Sequence, residues 1–114
     1  MAMNESLPTA VVDLDGALRL GPPPPGNLAV PVFTRGELSV ELYAPQDEDR
    51  QKPHSRDEVY VVARGIATFF DGEARRRVEP GAFIFVEAGR VHRFEQFSDD
   101  FAVWVIFYGP ERVR

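Results

Sequence analysis

The sequence predicts an all-β domain, an antiparallel sandwich or barrel behind an irregular N-terminal arm, and three observations predict it. From Val30 onward, short apolar runs alternate with turn residues, the pattern of successive short strands. No segment repeats apolar residues at helical spacing over several turns. The breaks between runs carry the residues that tight reversals need, above all Asp71-Gly72, which suits the positive φ angles of a two-residue hairpin loop.

Residues 1–29 form the arm. Asp13-Leu14-Asp15-Gly16 reads as a turn, and Gly21-Pro22-Pro23-Pro24-Pro25-Gly26 can join neither a helix nor a sheet ladder. The proline tract is read as a stiff extended spacer rather than as a ligand for a partner domain. Residues 30–114 form the barrel domain. Val32–Thr34 and Leu38–Tyr43 are its first strands, separated by Arg35-Gly36, and Ala44–Arg50 is an acidic loop. Glu58–Ala63 is a β-branched, aromatic strand ending at Gly65, and Ile66–Phe70 runs into Asp71-Gly72. Glu73–Val78 returns as an edge strand with Arg75 and Arg77 on its solvated face. Glu79-Pro80-Gly81 turns into Ala82–Val86, Ala88-Gly89-Arg90 into Val91–Gln96, and Ser98-Asp99-Asp100 into Phe101–Tyr108, which Gly109-Pro110 stops.

Two of these strands, Ala82–Val86 and Phe101–Tyr108, are apolar on both faces. An antiparallel sheet with one wet face should alternate instead, so their outer faces need a cover. The arm or a second copy of the chain can supply it, and a homodimer is expected.

Composition narrows the function. A chain of 114 residues, 44% hydrophobic, suits one domain with a real core. The absence of cysteine excludes disulfides, thiolate metal sites and a cysteine nucleophile. Eighteen acidic against 13 basic residues, a net charge of -5, argues against nucleic acid as a partner. Met1 to Thr9 lacks the basic and apolar stretches of a secretory leader, and no apolar run approaches the roughly 20 residues of a membrane helix. A cytoplasmic protein without a membrane partner is expected. Neither a phosphate-cradling glycine loop nor a nucleophile elbow is present.

The chemistry gathers around the only two histidines, His54 and His92. In a straight strand His54 and Glu58 would share a face about 13 Å apart, at roughly 3.3 Å per residue. No single ion holds both at that distance, since its ligand bonds are about 2.0–2.2 Å. Ser55, Arg56 and Asp57 are turn-compatible. If they form a tight connection, His54 ends one strand, Glu58 begins the next, and the side chains meet. Alternation puts His92, Phe94 and Gln96 on one face and Arg93 and Glu95 on the other, so His92 points inward. A buried imidazole needs hydrogen bonds or a metal. Tyr60 shares the face of Glu58 and either lines the pocket or packs in the core. Phe94 is wall. Arg56 is either a clamp for an anionic substrate or an exposed turn residue.

The stretch from Glu58 through Tyr60 to Gly65, with Gly65 closing six residues of spacing, resembles the second half of the first cupin motif. Gly81, five residues, Glu87-Ala88-Gly89, two residues and His92 is similar to the second motif, with Glu87 in place of the usual proline and Gln96 where asparagine is common. The resemblance covers roughly residues 38 to 108. It implies a double-stranded β-helix barrel and a divalent metal (Fe, Mn, Zn or Ni) on His54, Glu58 and His92, with Lys52, Arg56, Tyr60, Phe94 and Gln96 around the pocket. The sequence departs from the pattern at Lys52, where the family usually has its first histidine, and a protonated lysine cannot ligate. Either three protein ligands suffice, or a neighbour such as Gln51 or Asp49 substitutes, or the metal is held weakly.

A small-molecule ligand in the barrel mouth follows from the resemblance. Oxygen activation at iron or manganese and Lewis-acid isomerase or lyase chemistry at zinc, nickel or manganese both suit such a site. A non-catalytic sensor of a sugar or small acid and a metal-free dimeric interaction module stand beside them. No separate general base is evident in the sequence.

Overall fold

Alternating side chains and β-branched content draw the chain beyond residue 30 into eight strands. In the computed structural model, which describes residues 7–112, these are β1 (Val30–Arg35), β2 (Leu38–Tyr43), β3 (Asp57–Arg64), β4 (Ala67–Phe70), β5 (Arg75–Val78), β6 (Phe83–Val86), β7 (Arg93–Glu95) and β8 (Ala102–Tyr108). They build a five-stranded sheet, β1-β2-β8-β3-β6, and a three-stranded sheet, β5-β4-β7. Every pairing is antiparallel. The chain thus folds as the all-β double-stranded β-helix expected from the sequence.

The core lies between the sheets. Tyr60 and Val62 from β3, Phe69 from β4, Phe94 from β7 and Val103 and Val105 from β8 meet there. The ring of Phe94 stands 5.0 Å from those of both Tyr60 and Phe101 and 5.2 Å from that of Phe69. Aromatic packing at these spacings adds to the gain from burial itself.

The arm differs from expectation. Residues 14–18 are not only a turn but a single-turn helix, α1 (Leu14–Leu18), capped by Asp13, whose side chain accepts from the Gly16 amide at 2.7 Å. Five residues cannot display a helical period, and the helix exists because Ala17 is buried against the barrel. Val12, Leu14, Leu18 and Leu20 pack with Val32, Leu42, Ala102 and Trp104 in a second apolar cluster. The arm therefore covers the outer face of β1, β2 and β8. It does not cover β6, the free edge of its sheet, where Phe83 is 68% and Phe85 51% exposed.

Two further strand expectations shift. Val91–Gln96 shortens to β7, because Gln96 adopts a left-handed backbone (φ 48°) that ends the alternation. Residues 51–54 form no strand, and the bend falls at residues 55 and 56, with Asp57 already in β3. Among the described residues, no helix is long and apolar enough to cross a membrane.

Candidate metal centre

β3 supplies the fixed half of the site. Its alternation aims Glu58, Tyr60 and Val62 inward, and the Glu58 side chain is only 1% exposed. The His54 segment is pinned to it by the turn after β6. Gly89 N–H donates to the His54 carbonyl at 2.7 Å, and Ala88 N–H donates to Asp57 Oδ1 at 2.9 Å. The bend at residues 55–56 is thereby fixed, and His54 Nε2 comes to 3.8 Å from Glu58 Oε1. His54 ends a loop rather than the strand expected of it, yet the two side chains meet. Phe107 braces the His54 ring edge-on, with centroids 5.0 Å apart.

His92 arrives from the residue before β7, buried among Tyr60 and Phe69. Its Nδ1 lies 2.8 Å from the Arg90 carbonyl, which can only accept. That bond places the neutral ring's proton on Nδ1 and leaves the Nε2 lone pair facing Glu58 Oε1 at 3.0 Å. Ligand atoms of His54, Glu58 and His92 all lie within 4.8 Å of one another.

Three electron-pair donors facing each other at such distances require a cation among them, either a proton or a metal. Burial works against protonating His92. Its hydrogen bonds to Glu58 and the Arg90 carbonyl, with the charge on Glu58, outweigh burial and raise its pKa above the ordinary 6.5. Burial lowers the pKa of His54; the charge of Glu58 opposes this, and a charged His92 reinforces it. Glu58 Oε2 is buried without a hydrogen-bond partner among the described residues. An orphaned carboxylate oxygen beside two imidazoles is the donor chemistry of a divalent ion of the Fe, Mn, Zn or Ni type, so the residues fit the metal implied by the resemblance.

The other sequence candidates scatter. Tyr60 is fully buried, and its hydroxyl lies 2.9 Å from His92 Nε2 and donates to Gln51 Oε1 at 2.7 Å. Phe94 is the floor beneath Tyr60. Lys52 is exposed on the wall of the cleft that His54 also lines. Arg56 is no free clamp, because its guanidinium donates to the carbonyls of Gly109 and Glu37. Gln96 is exposed and lies outside the cluster, turned away by its left-handed backbone.

A cleft of about 500 Å³ opens beside the trio, lined by residues 26–29 of the arm and by Glu41, Tyr43, Gln51, Lys52, His54 and Phe107 among others. His54, with its side chain 33% exposed, is the member of the trio that faces it. Sequence reasoning missed Glu41. Burial, and then the negative charge of Glu58, raise its pKa above the ordinary 4.5. It also missed the role of Asp49, which leaves the acidic loop to accept from Tyr43 Oη at 2.6 Å, the Gln51 amides at 3.0 Å and the Phe94 amide at 2.8 Å.

With fold and site in place, comparison with known proteins defines the class. The cupin domain family matches residues 39–108. The chain belongs to that family. An uncharacterized protein of Streptomyces coelicolor is 42% identical over 76 residues, covering 65% of this chain and 72% of that protein. A cupin-2 domain protein of Shewanella frigidimarina superposes with a TM-score of 0.69 at 14% identity, over 87% of this chain and 95% of that one. A DMSP lyase of Ruegeria pomeroyi superposes with a TM-score of 0.56 at 23% identity, over 68% of this chain but 41% of its own length.

Proposed function

We infer that the protein is a metal-dependent isomerase or lyase that takes a compact ligand in the barrel mouth. The observation that carries this reading is the convergence of His54, Glu58 and His92 within 4.8 Å beside a cleft that His54 lines and whose wall holds a separate carboxylate, Glu41. The trio would hold the divalent ion, which when bound polarises a carbonyl or enolate oxygen. Glu41, half-buried and made more basic by burial and then by the charge of Glu58, would take a proton from the ligand's carbon and return it elsewhere. Lys52 at the cleft rim would attract an anionic group of the ligand. Oxygen activation needs no such base, which is why Glu41 favours proton-transfer chemistry. That a DMSP lyase is built on a similar fold is compatible with this reading, although fold alone assigns no activity.

Metal analysis of protein purified without added metal tests the reading. About one divalent ion per chain is expected, with His92→Ala and Glu58→Gln each losing it while the barrel still folds. Retention of the ion by both variants would overturn the site. A parent that neither retains nor takes up metal would leave a non-catalytic binding or interaction module. Oxygen consumption with candidate substrates would move the activity to a dioxygenase.

The exposed Phe83 and Phe85 on the free edge of β6 support a homodimer that covers them. A sedimentation mass equal to the monomer would rule it out.

A further inference from the structure

We propose that Gln51 is a fourth protein ligand of the metal centre, through Oε1, and that Asp49 is the residue that aims it. The inference rests on the metal reading above and concerns the place where this chain departs from its family, the lysine at position 52.

The orientation of the Gln51 amide is chemically determined. Asp49 Oδ2, a carboxylate oxygen, can only accept, and it lies 3.0 Å from one end of the amide, which must therefore be Nε2. The other end, Oε1, then faces the centre. It stands 3.4 Å from His54 Nε2 and accepts from the Tyr60 hydroxyl at 2.7 Å. Asp49 cannot easily turn away, because Tyr43 Oη, the Gln51 backbone amide and the Phe94 amide also donate to its carboxylate.

Two of the spacings at the centre are those of ligands sharing one ion. Two atoms each about 2.1 Å from a metal stand about 3.0 Å apart at a right angle and about 3.4 Å apart at the tetrahedral angle. His92 Nε2 to Glu58 Oε1 is 3.0 Å, and Gln51 Oε1 to His54 Nε2 is 3.4 Å. An amide oxygen carries two lone pairs, so Oε1 can keep the Tyr60 hydrogen bond and still bind an ion. Lys52, one residue on, is exposed along the cleft. Gln51 thus supplies a neutral oxygen where the family pattern has a nitrogen, and the set becomes two imidazoles, one carboxylate and one amide oxygen. A neutral oxygen donor is harder than imidazole, which shifts preference toward manganese and away from copper.

The test uses Co²⁺ as the probe. The metal-stripped full chain is titrated against a chromophoric chelator, and the visible spectrum of the bound ion is recorded. Gln51→Ala is expected to weaken Co²⁺ binding at least about tenfold and to change the spectrum. Gln51→Glu keeps a ligand oxygen but gives up the Nε2 hydrogen bond to Asp49, and it is expected to bind Co²⁺ more tightly than Gln51→Ala, with a spectrum altered from that of the parent. Asp49→Asn should weaken binding about 10–100-fold, the usual cost of removing a group that orients a ligand. If Gln51→Ala does not fold, Gln51→Glu alone decides. Unchanged affinity and spectrum in the Gln51 variants would overturn the assignment and leave the three-residue centre standing. Weaker binding with an unchanged spectrum would overturn it too, because Gln51 would then only support His54. A parent that binds no Co²⁺ would remove the metal reading along with this inference.

Discussion

A carboxylate in the wall of a cleft partly withdrawn from water is a thermodynamic burden, and Glu41 carries that burden. Its pKa is raised above 4.5, first by burial and then by Glu58. A carboxyl whose pKa is higher in the folded state binds its proton more tightly folded than unfolded. It therefore contributes stability below its unfolded value and loses that contribution as pH rises through the folded value. The metal-free Glu41→Gln protein should consequently melt higher than the parent at pH 7, with the two converging in acid near pH 4. The gain should stay within about 1 kcal/mol, because the group is partly exposed and screened. The same variant should lose turnover once a substrate is in hand, as a base set at the expense of stability should. Thermal melts from pH 4 to 8 settle the stability half; a parent more stable than the variant at pH 7 would mean that Glu41 is paired rather than poised. Glu41 was not legible in the sequence for a specific reason. Leu38, Val40 and Leu42 alternate with Ser39, Glu41 and Tyr43, and alternation alone does not tell which polar face lines a cleft. In the fold the apolar face meets the arm and the polar face lines the cleft. Gln51 and Asp49 were legible only as alternative substitutes for the ligand missing at Lys52, since loop residues carry no periodicity that would tell which one turns inward. His54, Glu58 and His92 were readable because their spacing to Gly65, Gly81 and Gly89 follows a motif.

Elements were more legible than contacts, because turn chemistry is local. Gly65 shows why. It closes β3 at φ 79°, and a Cβ added there would stand 2.5 Å from Ser98 Oγ and 2.7 Å from the Phe101 Cα. Ser98 Oγ in turn accepts from the Ile66 amide at 3.0 Å, so the serine cannot simply swing away. Gly65→Ala should therefore cost more than about 2 kcal/mol, combining left-handed strain with a backbone clash. Gly81, also at positive φ (93°), has open space where its Cβ would go, and alanine there should cost only about 1 kcal/mol. Urea unfolding of the two variants makes the comparison; equal losses would mean that crowding at Gly65 relaxes at no cost. The reverse case is α1, which depends on packing against Val32, Leu42 and Ala102 rather than on its own five residues. Asp13→Ala, removing the cap, should cost about 1 kcal/mol and loosen the arm over Trp104, visible as a red shift of its fluorescence. Unaltered emission would show that the apolar contacts of Ala17 and Leu18 hold the arm alone.

At the scale of the whole molecule, the barrel concentrates electron-pair donors at one end of a core that is otherwise aromatic and aliphatic. His54 comes from the loop before β3, Glu58 from β3 and His92 from the approach to β7, so the centre joins segments from both sheets. An ion held there binds only the folded chain, since unfolding scatters donors that lie up to 38 residues apart in sequence. Binding must then appear as stability. At a free ion concentration one hundred times Kd the gain is about 2.7 kcal/mol, and for a domain of this size each kcal/mol moves Tm by roughly 4–8 °C. Loading the stripped protein with Zn²⁺, Mn²⁺ or Ni²⁺ should accordingly raise Tm by about 10 °C or more for the ion that fits, and a chelator should reverse the shift. His54→Ala is the informative control, because its side chain is the exposed member of the trio and its loss leaves the buried Glu58–His92 pair intact. That variant should melt near the metal-free parent and respond weakly to every ion. If the parent is equally indifferent, the donors are bridged by a proton on His92 and the barrel is a hydrogen-bonded pocket. In that case Glu58 Oε2 would have to be satisfied by water entering from the cleft.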